Sequence, residues 1–187
     1  MKTTFKFKAV AFFLCAFLAS TVAFGQGNIG KDGKPIPSPR DTVSGTAAGA
    51  TITIAYGSPA VKGRVIFGEG TTALQPYGTI WRAGANQMTI FTTNKDIMVQ
   101  GKKLPAGTYS LFATPGEKEF TIIFNSVTGQ WGIHRDGTAN DDPSKDVLVV
   151  KAKATKSNDI TERLTYKISD AGFSLVWEHV SVWVSIK

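Results

Sequence analysis

The sequence predicts an all-β fold, a single-domain antiparallel β-sandwich of about nine strands, and three observations carry that expectation. Short β-branched and aromatic runs alternate apolar and polar residues with a period of two. Gly, Pro, Asn or Asp interrupts these runs at short intervals. No stretch of comparable length has the 3.6-residue period of an amphipathic helix. Strands with one apolar face must bury it, so about nine of them require two facing layers or a closed barrel.

In chain order, the first run is Ile52 to Tyr56, where Ile52, Ile54 and Tyr56 share one face and Thr53 takes the other. Further runs centre on Met88 to Thr93, Ile97 to Val99, Thr108 to Ala113, Phe120 to Phe124, Val147 to Ala154, Leu164 to Ile168, Phe173 to Trp177 and Val182 to Ile186. Val99-Gln100-Gly101-Lys102-Lys103-Leu104 predicts a tight hairpin at the glycine, and Pro105-Ala106-Gly107 a turn with one fixed and one permissive φ. Asn125 to Gly129 and Ser169 to Gly172 read as further reversals. The apolar residues are odd-numbered at Phe173, Leu175 and Trp177 but even-numbered at Val182, Val184 and Ile186. A one-residue phase shift needs a bulge, and it falls at Glu178 and His179.

The first 25 residues stand apart from this pattern. Lys2, Lys6 and Lys8 precede an uncharged apolar stretch from Ala9 to Phe24 that ends in Ala23-Phe24-Gly25, the pattern of a secretory signal cleaved after Gly25. The stretch is short for a membrane span, so no span is expected after cleavage. Residues 26–37, rich in Gly, Lys and Pro, read as a flexible linker into a domain at 38–187. The product is expected in the periplasm or outside the cell.

Composition excludes several function classes. Twelve Phe, 4 Trp and 4 Tyr supply enough apolar surface for a packed core, which excludes a disordered chain. The lone cysteine, Cys15, leaves with the signal, so neither a disulfide framework nor thiolate chemistry is available. The formal charge of +7 falls to +4 once the three signal lysines are removed. The remaining Lys and Arg are scattered, which argues against nucleic acid as a partner.

The densest polar and aromatic cluster is Trp81, Arg82 and Asn86: an indole for stacking, a guanidinium for carboxylates or hydroxyls, and an amide for paired hydrogen bonds. Arg64 joins it from Gly57 to Gly70, a glycine-rich stretch able to wrap a ligand, although core and loop roles for Arg64, Phe67 and Trp81 are equally consistent with the pattern. The spacing from Gly57 to Lys62-Gly63 lacks the Lys-Ser/Thr ending of a phosphate loop. No Gly-x-Ser-x-Gly turn is present. Weak catalytic candidates are His134 and Asp136 at a spacing of two, and Glu178 beside His179. These sets match no metal motif, so neither a metal nor a cofactor is expected.

The words Tyr56-Gly57-Ser58-Pro59, Val61-Lys62-Gly63-Arg64, Pro76-Tyr77-Gly78, Trp81-Arg82, Gly84-Ala85-Asn86, Leu104-Pro105-Ala106-Gly107-Thr108-Tyr109 and Gln130-Trp131-Gly132 occur in one order. In these the chain resembles the bacterial secreted family known as domain of unknown function 2911, largely from Bacteroidetes, over about residue 38 to the end. The resemblance implies an exported β-rich domain and no established reaction. The chain departs from the family pattern at Gln87, where glutamate is usual, and at His134, where tyrosine is common. An amide at 87 cannot serve as an acid or base. Three roles follow: a noncatalytic binding module for a glycan or small anionic envelope ligand; a hydrolase of carbohydrate or cell-wall material; or a structural envelope protein.

Overall fold

The computed structural model describes residues 33, 34 and 36–187, so the expected signal and most of the linker lie outside the described residues. The strands are β1 (Arg40–Ala47), β2 (Ala50–Gly57), β3 (Phe67–Gly68), β4 (Gln75–Pro76), β5 (Ile90–Thr93), β6 (Ile97–Val99), β7 (Lys102–Leu104), β8 (Gly107–Thr114), β9 (Glu119–Asn125), β10 (Asp146–Ser169) and β11 (Gly172–Ser185). Among the described residues there is no α-helix. Seven strands form one sheet in the order β1-β2-β5-β8-β9-β10-β11, with every neighbouring pair antiparallel. The all-β antiparallel expectation therefore holds. The two facing layers are two halves of this one sheet, which curls until it is nearly barrel-shaped.

The curl is made by β10 and β11. Through Asp146 to Lys153 β10 pairs with β9, and from Ala154 onward it pairs with β11. Its register against β11 shifts between Lys156 and Thr161 and again before Thr165, opposite Glu178, which has a φ of +55°. The phase shift legible in the sequence is thus a real bulge, and it bends the paired strands together. The bend carries the far half of β10 back to the opposite end of the sheet. There Val61 N–H donates to Glu162 O (2.7 Å) and Leu164 N–H to Pro59 O (3.0 Å), just beyond β2. Ala48 N–H reaches Asp170 O at 2.9 Å. The same bend brings the end of β11 onto its own start, where Ile186 N–H bonds Ala171 O at 2.8 Å. A Cβ on Gly172 would lie 2.1 Å from Val184 O, so only glycine permits this approach.

Two sequence runs each merge into one long strand: Val147 to Ala154 with Leu164 to Ile168 in β10, and Phe173 to Trp177 with Val182 to Ile186 in β11. The β6–β7 hairpin has left-handed φ at both Gln100 and Gly101, the twist-matched turn that the glycine predicted. It docks on the end of β11 through reciprocal bonds between Met98 and Lys187. The reversal read at Asn125 to Gly129 is no tight turn. The chain leaves β9 there and returns at β10 only after residue 145, because Asn125 spends its side chain clasping that excursion.

Phe67, Trp81, Phe120 and Trp177 meet in the interior, with Trp81 stacked on Trp177 at 5.7 Å and 25° and Phe67 edge-on to both. A smaller cluster of Met88, Phe112 and Ile123 lies on the other face of β8 and β9, covered by Ala139 of the excursion. That cover explains why both faces of these strands are apolar.

Glycine relieves the strain of a left-handed φ, against its own cost in chain entropy. Glu178→Gly is therefore expected to stabilise the fold by about 0.5–1 kcal/mol, measured by urea unfolding. A destabilised variant would show that the Glu178 side chain, not the backbone bend, matters at the bulge.

Candidate functional site

The segment 81–87 crosses the open end of the sheet and forms one wall of a cleft. Trp81 begins it, exchanging two backbone hydrogen bonds with Ala113 (both 2.8 Å) and donating its indole N–H to Gly84 O at 2.9 Å. Ala83 and Asn86 both hold left-handed φ values, +48° and +61°, which non-glycine residues keep only when their surroundings enforce them. Here the surroundings do so. Ala83 O accepts from Thr89 Oγ1 (3.1 Å) and Tyr166 Oη (2.8 Å), and Asn86 Nδ2 donates to Ser38 O (2.8 Å). Burial holds the Tyr166 phenol well above its usual range, so it stays a donor. A Cβ on Gly57 would fall 1.9 Å from Ala85 O, which is why β2 ends in glycine where this segment lies across it.

The cleft measures about 380 Å³, within the roughly 300–1,000 Å³ of small-ligand sites. Arg64, Trp81 and Arg82 line it together, as the sequence suggested, with Gln75, Thr79 and the floor residue Trp177. Among the described residues Arg64 has no ion-pair partner. Its Nε donates to Val61 O and its Nη2 to Ala60 O, so carbonyls three and four residues earlier hold it, and among the described residues the rest of the guanidinium has no hydrogen-bond partner. Arg82 donates Nη1 to Trp131 O at 3.1 Å, and its guanidinium sits 5.8 Å from the centre of the Trp131 ring. A Cβ on Gly132 would lie 2.9 Å from Arg82 Cβ, so this glycine lets the arginine stem pass. Burial lowers the Arg82 pKa from its ordinary value. Among the described residues no carboxylate lines the cleft. The indole N–H of fully buried Trp177 has no acceptor, a deficit of about 1–3 kcal/mol for an unmade bond.

Asn86 lies outside this cleft, in an adjoining groove of about 230 Å³ with Arg40, Gln87 and Trp131. Trp81 is 6% exposed and packed between aromatic neighbours, so it supports the cleft from beneath and offers no ring face. The exposed ring in this groove is Trp131, at 52%. Arg40, Gln75, Thr79 and Trp131 were not singled out by the residue pattern. The signal for Trp131 was its place between Gly129 and Gly132, outside any alternating run.

The excursion that carries Trp131 is tied down at both ends by Asn125. Its Oδ1 accepts from Val127 N–H (2.9 Å), and its Nδ2 lies within hydrogen-bond distance of Asp141 Oδ1, Asp142 O and Asp146 Oδ1. Burial and the neighbouring Asp146 push the Asp141 carboxyl up to about 6.

The weak catalytic candidates lie outside the cleft wall. His134 and Asp136 are exposed in a turn, and Asp136 is spent on Thr138 N–H (3.0 Å) and Thr138 Oγ1 (2.7 Å). Those bonds lower its pKa, the wrong direction for a general acid at neutral pH. Glu178 and His179 sit at the bulge, where His179 Nδ1 is 3.1 Å from Ser157 O. Among the described residues no three His, Cys, Asp or Glu gather as metal ligands, and no helix is long and apolar enough to cross a membrane.

Fold and cleft together define an all-β domain with an arginine-lined recess built on a rigid aromatic floor. The family model described as "Protein of unknown function (DUF2911)" matches residues 38–186, and the chain belongs to that family. No curated protein and no solved structure matches it.

Two outcomes follow from this geometry. Gly57→Ala drives a methyl into the Ala85 carbonyl and is expected to cost about 1–3 kcal/mol in urea unfolding. Asp141, raised from 3.8 to about 6, favours the folded state when protonated, and this stabilisation is lost as pH rises through about 6. Asp141→Asn keeps the neutral form, so its melting temperature should exceed the parent's at pH 8 and converge with it below pH 4. A gap independent of pH would refute the assignment.

Proposed function

We propose that this chain is an exported, noncatalytic binding module whose cleft takes a small anionic ligand of glycan character. The observation that supports this reading most is the state of the arginines. Arg64 and Arg82 face one recess, Arg82 is partly desolvated, and both bond backbone carbonyls only. Neither is in an ion pair among the described residues, where the pairs are Lys103 with Asp96 and Lys151 with Glu119. A guanidinium held in place with spare donors and no local counter-charge is preorganised for a carboxylate, which accepts two parallel N–H bonds. Thr79 and Gln75 add hydroxyl and amide groups suited to sugar hydroxyls.

A binding role also fits what the wall lacks. Among the described residues it carries no carboxylate, histidine or cysteine to move a proton or attack a carbonyl.

The test is calorimetric titration of the full chain with galacturonate and with galactose. Galacturonate is expected to bind, galactose at least tenfold more weakly, and Arg64→Ala and Arg82→Ala should each weaken galacturonate by about tenfold, the loss of a charge-assisted bond. Equal binding of the neutral sugar, or unchanged affinity in both variants, would end this reading.

A further inference from the structure

The cleft does not stop at Arg82. Ser38 and Ala85 line both it and the adjoining groove, and that groove shares Arg40, Gln87 and Trp131 with a third recess of about 420 Å³. The three form one continuous surface path, divided by a wall in which Arg82 covers the Trp131 ring. Trp131 lines the two recesses beyond the wall, and Arg82 lines only the cleft before it.

Beyond the wall the chemistry repeats with different parts. Arg40 donates Nη1 to the carbonyls of Gln87 (3.2 Å) and Met88 (2.9 Å), which fixes it without a carboxylate. Burial lowers its pKa as it does that of Arg82. Trp131 is half exposed, so part of its ring is accessible to a ligand. Asn86 and Gln87 supply side-chain amides, and among the described residues no acidic residue lines these recesses. An indole beside an arginine and two amides matches an acidic pyranose: the apolar face of the ring lies on the indole, the carboxylate meets the guanidinium, and hydroxyls meet the amides.

We infer that the Arg40–Trp131 groove is a second sugar subsite, continuous with the Arg64–Arg82 cleft, and that the ligand is an acidic oligosaccharide spanning both. This rests on the proposed anion cleft and adds a length requirement to it. Two linked sugars held at two subsites bind as one ligand, so affinity grows with chain length without any new contact within the first subsite.

The experiment titrates the full chain with galacturonate, its dimer and its tetramer, reading heat and the fluorescence of exposed Trp131. The tetramer should bind more tightly than the monomer by about tenfold or more. Trp131→Ala should abolish that gain, read as the ratio of tetramer to monomer affinity because the ring also packs against Arg82, and Trp131→Phe should keep part of it. Gln87→Glu, which sets a carboxylate beside Arg40 without shortening any side chain, should weaken the tetramer selectively. Monomer binding with no gain in length, or a gain that survives Trp131→Ala, overturns the second subsite and leaves the first cleft standing. No binding at any length overturns both. Circular dichroism of each variant separates a lost contact from a lost fold.

Discussion

One strand serving two neighbours in succession governs the molecule. β10 pairs with β9 through Asp146 to Lys153 and with β11 from Ala154 onward, and the register shifts between Lys156 and Thr165 bend the strand where it faces β11. The bend sits opposite Glu178, whose left-handed backbone re-aims everything that follows. From it come the curled sheet, the contact of β10 with the chain beyond β2, and the return of Ile186 to Ala171. A flat sheet of the same strands would leave Trp177 and Phe67 facing water.

The aromatic floor of the cleft is a consequence of this closure. Trp177 lies immediately before the bulge, so the curl that buries its ring also places it beneath the 81–87 segment. Tyr166, from the far half of β10, bonds the carbonyl of strained Ala83 and so ties that segment to the same closure. The wall of the site is therefore rigid because the barrel-like core is, and local strain at Ala83 and Asn86 is held by bonds from strands distant in sequence. A preformed wall spares a ligand the entropy of ordering it.

The electrostatic character of the surface follows from where the carboxylates are not. The acids nearest Trp131 in sequence are committed elsewhere: Asp136 to Thr138, Asp142 to Ser144, and Asp141 to the clasp with Asn125. Arg40, Arg64 and Arg82 are left to backbone carbonyls, which fix their position without cancelling their charge. The loop that carries Trp131 thus contributes an indole and keeps its own charges out of the groove.

Much of the architecture was legible before any coordinates, because strand pattern and turn chemistry are local. Alternation at Ile52 to Tyr56 marked β2, Gln100-Gly101 marked the hairpin, and the parity break at Glu178 marked the bulge. The exposed β1, with Gly and Ser in its middle, lacked that alternation and was not legible. The site was legible only in part. Arg64, Trp81 and Arg82 do line one recess, but of the two roles open to Trp81, stacking or core, the structure shows the core, and the exposed ring beside the recess is Trp131. A tryptophan reads the same in sequence whichever way it faces, since its burial is decided by strands that meet it from elsewhere in the chain. The sequence alone therefore determined the strand class, the turns and the bend. Tertiary structure decided which ring was buried, which arginines shared a recess and which acids were withdrawn from it, because each depends on contacts between residues far apart in the chain.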